Sequence, residues 1–266
     1  FLHLRDDKDP AACLLHSDAP QAAPLPVAPV AVPRLQLTNL DKVLLPGTGD
    51  RPEVTKADLV RHVAGSAPQL ERYLAGRAVN LLRVPDGLDD GSFWQQAVPQ
   101  GAPEWVQRWR DPEATGRQAH DRVVVDGTAT LVWLAQMAAV ELHPWTSSTA
   151  SPDVPDYALV DIDPGDDTTW EDSLTLARLF RTALGELELV GCPKVTGKRG
   201  VQIWVPAGGD AGFDDTSRFV EQLSRQVGGV VPELVSWRWR TDERQGRARL
   251  DYTQNARHKT LVAPWS

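Results

Sequence analysis

Apolar positions along the chain follow two spacings, and the change from one to the other outlines the fold. From residue 54 to 74 (VTKADLVRHVAGSAPQLERYL) they recur at helical intervals, with Leu59, Val60, Val63, Leu70 and Leu74 on one face, which predicts an amphipathic helix. A short apolar run, LTNLDKVLLP (37–46), precedes it and ends at Pro46 and a Gly-rich turn. RVVVDG (122–127) reads as a strand and turn, and TATLVWLAQMAAVEL (128–142) as one largely buried helix. After a Ser/Pro-rich loop the pattern changes. YALVDID (157–163) is predicted as a buried strand and TWEDSLTLARLFRTALGEL (169–187) as an amphipathic helix. PKVTG (193–197) and VQIWVP (201–206) read as short strands about a Gly turn, and DDTSRFVEQLSRQVG (214–228) as a helix. VSWRWR (235–240) and RARLDY (247–252) alternate like antiparallel strands, and KTLVAP (259–264) is expected to close the sheet. The order from Tyr157 is β-α-β-β-α-β-β, a split βαβ arrangement with a mainly antiparallel sheet rather than a doubly wound parallel one.

Residues 19–33 interrupt both patterns: ten of these fifteen positions are Ala or Pro and none is charged. Prolines fix φ and remove donors, so this stretch is expected to be an extended, semi-rigid linker over 19–34. Residues 1–18 are then the tail of something preceding, and the globular part is expected over 35–266, divided into an N-terminal subdomain (35–150) and a core (151–266). A chain of 266 residues that begins with Phe reads as a fragment or a trimmed product. Two cysteines, Cys13 and Cys192, exclude a disulfide scaffold and point to a reducing compartment. No apolar run approaches the ~18–20 residues that span a bilayer. A cytoplasmic protein with no membrane partner is expected.

A net charge of −8 argues against a polyanion as partner until the distribution is considered. Between Trp237 and Lys259 stand seven basic residues against three acids. An acidic body with a basic C-terminal stretch is compatible with nucleic acid on one face.

Three segments could carry chemistry. Asp161 and Asp163 in DIDPG end an apolar strand, and alternation places them on one face with Ile162 on the other. Two carboxylates there suit a hard cation, although on the motif alone a solvated strand end with turn-favouring aspartates is the commoner case. If RARLDY pairs with 157–163, Asp251 adds a third carboxylate; alone, it reads as a surface ion pair with Arg249 or Arg257. Thr196-Gly197-Lys198-Arg199-Gly200 is a Gly-flanked basic turn in which backbone N–H groups and two cations could meet a phosphate. It lacks the P-loop spacing. The six histidines form no ligand-spaced pair, and a Ser or Cys nucleophile elbow is absent.

These segments, in this order, resemble the three motifs of the polymerase domain of bacterial ligase D, a member of the archaeo-eukaryotic primase superfamily that serves bacterial end joining. VDIDPG, VTGKRGVQIWVP and RLDYTQNARHKTLVAPWS carry the likeness. It continues upstream in LTNLDKVLLPGTG, GRAVNLLRVPDGLDDGSFWQQ and LVWLAQMAAVELHPW. The resemblance implies an α/β (α+β) primase-superfamily core with an RRM-like split-βαβ sheet, flanking helices and an N-terminal subdomain. It implies template-directed nucleotidyl transfer at DNA breaks by a two-metal route, using two Mg²⁺ or Mn²⁺ ions and favouring ribonucleotides. Asp161, Asp163 and Asp251 match the metal-binding carboxylates. Thr196, Gly197, Arg199 and Lys259, with Lys198 and Gln202 in the same motif, match positions at the incoming triphosphate. His143 and Arg257 lie in segments that border the nucleotide. Lys42 and Lys56 match lysines that grip a downstream 5′-phosphate, Phe93 and Trp94 an aromatic pair that stacks on template bases, and Arg244 a loop arginine that contacts DNA. Implied partners are DNA with a primer-template or a 5′-phosphate gap, nucleoside triphosphates, Ku and a ligase, at the bacterial nucleoid.

The sequence departs from the family at three places. Gln202 stands where the second motif ends in histidine, and it can donate a hydrogen bond but cannot carry a proton or a charge. One lost charge-assisted contact costs about 1.5–3 kcal/mol. Arg199 stands where many relatives have lysine, and Gln96 replaces a lysine after the aromatic pair. The departures leave a second reading, a catalytically weak or silent DNA-end-binding module.

Overall fold

The computed structural model describes residues 35–49, 51–197 and 199–266. The expected tail (1–18), the linker (19–34) and Lys198 lie outside the described residues. β1 (Val43–Leu45) and β2 (Val54–Thr55) form a small antiparallel pair that leads into α1 (Lys56–Leu74). Thr55 starts this helix with a capping box: its hydroxyl accepts from the Asp58 N–H, while the Asp58 carboxylate accepts from the Thr55 N–H. The predicted apolar face is buried at Val60, Val63, Leu70 and Leu74, and Leu59 packs at its margin.

That face packs on α2 (Thr128–Gln136) and on a sheet of β3 (Ala78–Arg83), β4 (Phe93–Gln95), β5 (Arg108–Trp109), β6 (Arg122–Val124) and β7 (Ala139–Pro144). β3 is central and pairs antiparallel with β4, β6 and β7. The single helix expected over 128–142 is corrected here. It stops at Gln136, Ala138 takes a left-handed φ of 56°, and residues from Ala139 form β7. The AAVEL run fits either period, and the ladder offered by β3 decides for strand.

The second sheet follows the predicted order: β8 (Tyr157–Asp163), α3 (Trp170–Glu186), β9 (Cys192–Val195), β10 (Val201–Pro206), α4 (Phe213–Val230) and β11 (Arg249–Asp251). Its strands lie β11-β8-β10-β9, all neighbours antiparallel, which is the split βαβ topology. α3 and α4 cover one face. Val160 and Ile162 of β8 and Val201 and Ile203 of β10 pack there against Leu176, Phe180, Val220 and Leu223. The opposite face carries the polar ends of the strands.

Two further expectations fail at the C-terminal side. Residues 235–240 form no strand, since only Val235 bridges Ala248. Trp237 turns onto α4 beneath Arg225, 4.6 Å from its guanidinium, and fills the space left by the absent Cβ of Gly228. Residues 259–264 do not extend the four-stranded sheet. Thr260 bridges Trp145, and the Ala263 N–H donates to Leu142 of β7 at 2.9 Å. Asn255 explains the diversion: its side chain accepts from the Leu159 N–H at 2.7 Å and donates to the Leu159 carbonyl at 2.8 Å, taking the ladder positions beyond β11. No helix among the described residues is long and apolar enough to cross a membrane.

Candidate active site

Register places four polar residues in a row across the second sheet. Asp251 of β11 stands opposite Asp161 of β8, Asp161 opposite Gln202 of β10, and Gln202 opposite Lys194 of β9. Directly opposed residues share a face, so the row lies on the side away from α3 and α4, with Asp163 two positions further along β8. The pairing that would bring Asp251 to the first two aspartates is therefore present. The solvated reading suits Asp163, which is exposed at the strand end, and not Asp161, which is part-buried in the row.

The charges in this row are unevenly compensated. Burial, then Asp163 and Asp251, push the Asp161 carboxyl up to about 7, against the opposing pull of Gln202 and Lys194. Burial also pushes the Asp251 carboxyl up. Hydrogen bonds from the Thr253 hydroxyl and N–H, with Arg249 and the Gln254 amide, outweigh that and hold it below the usual range. Of the two ion pairs read for Asp251, the structure has Arg249, at 3.5 Å, and not Arg257. Asp163 accepts from Arg244 at 2.7 Å. Burial brings the Lys194 ammonium down to about 8, and it donates to the Val262 carbonyl at 2.7 Å.

As they stand, no three His, Cys, Asp or Glu side chains among the described residues converge to hold a metal ion. Asp163 is turned to Arg244, and Asp251 to Thr253 and Gln254. The donor set nevertheless fits a hard divalent cation. It offers carboxylate oxygens on one face, and after burial the charges of Asp163 and Asp251 raise the Asp161 carboxyl by more than Lys194 and Gln202 offset.

Beside the row opens a cleft of about 320 Å³ lined by Asp161, Asp163, Thr196, Arg199, Gly200 and Gln202. The turn that walls it is closed by the Thr196 N–H donating to the Gly200 carbonyl and the Gly200 N–H donating to the Thr196 hydroxyl, with Gly197 at φ 91°. Arg199 spends one nitrogen on the Gly165 and Thr168 carbonyls, at 3.0 and 2.6 Å, and so ties the turn to the loop after β8. Gln202 is only 3% exposed, and its Oε1 has no partner among the described residues.

The first sheet contributes from the other side. His143, opposite Asn80 on β3, is buried. Its Nε2 lies 2.8 Å from a Glu141 carboxylate oxygen, and its ring meets Trp94 edge-to-face at 4.6 Å. Burial lowers the His143 imidazole below its usual value, with Glu141 opposing and Lys194 assisting. Phe93 and Trp94 are exposed on β4, Phe93 beneath Arg83. Lys42 and Lys56 are brought together by the β1–β2 pair. Lys56 is buried and its ammonium lowered by burial, then by Lys42 and Arg83. Three further predicted residues also lie outside the cleft lining. Lys259 is exposed. Arg257 is bound to Asp111, Glu113 and Asp153. Arg244 is 7% exposed and faces Asp163 rather than solvent.

The description "LigD, primase-polymerase domain" matches residues 55–266. The chain belongs to this family. It is 29% identical to the multifunctional non-homologous end joining DNA repair protein LigD of Mycobacterium tuberculosis, over 88% of this chain and 31% of that protein. To the bifunctional LigD of Bacillus subtilis it is 28% identical, over 88% of this chain and 37% of that protein. The chain thus spans little more than a third of these relatives at most. Among solved structures, the polymerase domain of M. tuberculosis ligase D in complex with DNA superposes with a TM-score of 0.78 at 27% identity, covering 87% of this chain and 81% of that one.

Sequence reasoning left two residues of this candidate site unassigned. Lys194 was one of six lysines in an Arg-rich chain, and the strand register places it in the aspartate row. Asn255, inside the third motif, fixes the loop that follows Asp251. Only lysine scarcity pointed to the first; nothing short of the tertiary ladder points to the second.

Proposed function

We propose that this domain is a template-directed nucleotidyltransferase that extends primers or fills gaps at DNA breaks. The observation that supports it most is the register that sets Asp251 opposite Asp161, two residues from Asp163, on the open face of the sheet. Asp161, Asp163 and Asp251 would hold two Mg²⁺ or Mn²⁺ ions, which when bound polarise the attacking and leaving oxygens of an in-line displacement. The remaining work falls to the chain. Thr196, Gly197, Lys198 and Gln202 would hold the incoming triphosphate in the cleft, Arg199 keeps its wall in place, and Lys194 offsets the negative charge of the row. His143, with Trp94 against it, would border the nucleoside, and Arg257 and Lys259 would act through the third motif. Phe93 and Trp94 offer two exposed aromatic faces to template bases. A preference for ribonucleotides, and service beside Ku and a ligase, belong to the same reading.

Primer extension with purified protein and Mn²⁺ tests it. Wild type is expected to extend and Asp161→Ala to lose extension. Equal extension by both would remove the aspartates from the chemistry.

A further inference from the structure

Arg257, in the segment between Asp251 and Lys259, meets three carboxylates from two other loops. Its Nη2 donates to Asp111 at 2.6 Å, and its Nη1 to Glu113 at 2.7 Å and to Asp153. Asp111 and Glu113 follow β5 of the first sheet, and Asp153 precedes β8 of the second. Asp111 is the buried member of this set: its side chain is 0% exposed, whereas those of Glu113 and Asp153 are 69% and 63% exposed. Such a cluster contributes little to stability alone, because the cost of drying a buried ion pair offsets much of its attraction. What it fixes well is direction, since a planar guanidinium with partners on both terminal nitrogens has one orientation.

The next residue is drawn to the same carboxylate. Asp111 Oδ2 is buried without a hydrogen bond among the described residues, and the His258 Nε2 lies 3.6 Å from it. The His258 ring also meets Trp145 edge-to-face at 4.8 Å. His258 takes a left-handed φ of 67°, a backbone state that persists in a non-glycine residue only where its surroundings over-determine it. The Lys259 N–H closes the turn on the Ala256 carbonyl at 3.1 Å, and Thr260 bridges Trp145. At the other end Asn255 is fixed to Leu159 of β8. Lys259 is exposed and stands between residues that are fixed on both sides.

We propose that Arg257, anchored by Asp111, is a positioning residue for Lys259: it sets the Ala256–Lys259 turn so that the Lys259 ammonium reaches the polyphosphate of the incoming nucleotide, while Arg257 itself does not touch it. This rests on the nucleotidyl-transfer reading and deepens it, dividing the third motif into a contact and its support. A guanidinium whose terminal nitrogens are committed to three carboxylates has little left to offer a phosphate, and those carboxylates would repel a polyanion that came to it. The lysine two positions on carries its charge clear of them.

The test is a double-mutant cycle on ATP binding to the whole chain with Mn²⁺, read by titration calorimetry. Lys259→Ala is expected to weaken binding roughly tenfold, the loss of one charge-assisted contact. Arg257→Gln is expected to weaken it roughly fivefold where Lys259 is present and to change nothing further where residue 259 is already alanine, the signature of two coupled residues. If Arg257→Gln folds poorly, Arg257→Lys keeps the charge without the planar fork and carries the same cycle with a loss of roughly threefold. Equal losses in the two backgrounds would make Arg257 a nucleotide contact or a purely structural residue and overturn the proposal. So would no loss at all, or an unchanged affinity in Lys259→Ala. Primer extension by the wild type separates the two readings. Coupling without any extension would keep the positioning role and remove the polymerase, whereas extension without coupling would keep the polymerase and remove the positioning role. A wild type that neither binds ATP nor extends would remove both.

Discussion

Arg244 closes on Asp163. Its Nη1 donates to the carboxylate at 2.7 Å while Nη2 donates to the Trp239 carbonyl at 3.0 Å, so one buried guanidinium pins the 239–244 loop to the end of β8. While that bond lasts, Asp163 cannot offer both oxygens to a cation. A hydrogen bond between charged groups contributes about 1.5–3 kcal/mol, and a divalent ion has to displace it. Arg244→Gln is therefore expected to tighten Mn²⁺ binding by roughly tenfold in titration calorimetry, since about 1.4 kcal/mol is tenfold. Weaker or unchanged binding would mean that Asp163 does not take part in holding the ion.

Asp161 sets a pH dependence in the metal-free protein. Its folded carboxyl sits at about 7, raised by burial and by the two neighbouring aspartates, whereas an unfolded aspartate titrates near ~3.9. The folded state thus keeps a proton that the unfolded chain gives up. The stability it contributes is complete below the unfolded value and is lost as pH rises through about 7. His143 works the other way: burial lowers its folded value, so its contribution is lost as pH falls below the usual imidazole range. With chelator present, the wild-type melting temperature is expected to drop between pH 5 and pH 8 relative to that of Asp161→Asn. Parallel calorimetric profiles would show that Asp161 is already ionised at low pH.

What could be read from the sequence followed from local signals with one outcome. The strand YALVDID alternates so that Asp161 and Asp163 must share a face, and the helical patterns of 54–74 and 169–187 mark the segments that become α1 and α3. What could not be read depended on a partner. AAVEL becomes β7 because β3 lies beside it, VSWRWR leaves the sheet because Trp237 finds Gly228, and KTLVAP goes to β7 because Asn255 occupies the ladder. The same holds in the site. The Asp251–Asp161–Gln202–Lys194 row is a matter of register between strands up to 90 residues apart in the chain, Asp251 and Asp161, and no property of either segment alone contains it.

Gly165 joins the three motif segments. A Cβ there would collide with the Gly246 and Arg247 carbonyl oxygens, both backbone atoms without freedom to yield. Its own carbonyl accepts from Arg199, and the Thr168 hydroxyl bridges the Gly165 N–H to the Gly246 carbonyl. Gly165→Ala is expected to cost about 1–3 kcal/mol, the range for overpacking, in urea denaturation. It should also lower incorporation in protein that still folds, because the Asp163, Arg199 and Arg244 loops move together. A variant as stable as wild type would mean that the loops separate freely.

Lys42 and Lys56 are expected to receive a terminal 5′-phosphate. The Lys56 N–H donates to the Lys42 carbonyl at 2.8 Å, and α1 begins at Lys56, so two ammonium groups and the positive end of a 19-residue helix gather at one place. Among the described residues Lys42 has a single carboxylate partner, Asp86 at 2.7 Å, and that residue is well exposed. Lys56 is buried, and both burial and its cationic neighbours lower its ammonium, a cost that a bound dianion would reverse. Lys56→Ala is expected to weaken binding of a gapped DNA bearing a 5′-phosphate by roughly tenfold or more, the loss of one charge-assisted contact. The same DNA with a 5′-hydroxyl should bind wild type and variant alike, and Lys42→Ala should repeat the pattern more weakly because its ammonium is more exposed and better screened. Equal losses on the two DNAs would assign these lysines to the backbone at large rather than to the end of the strand.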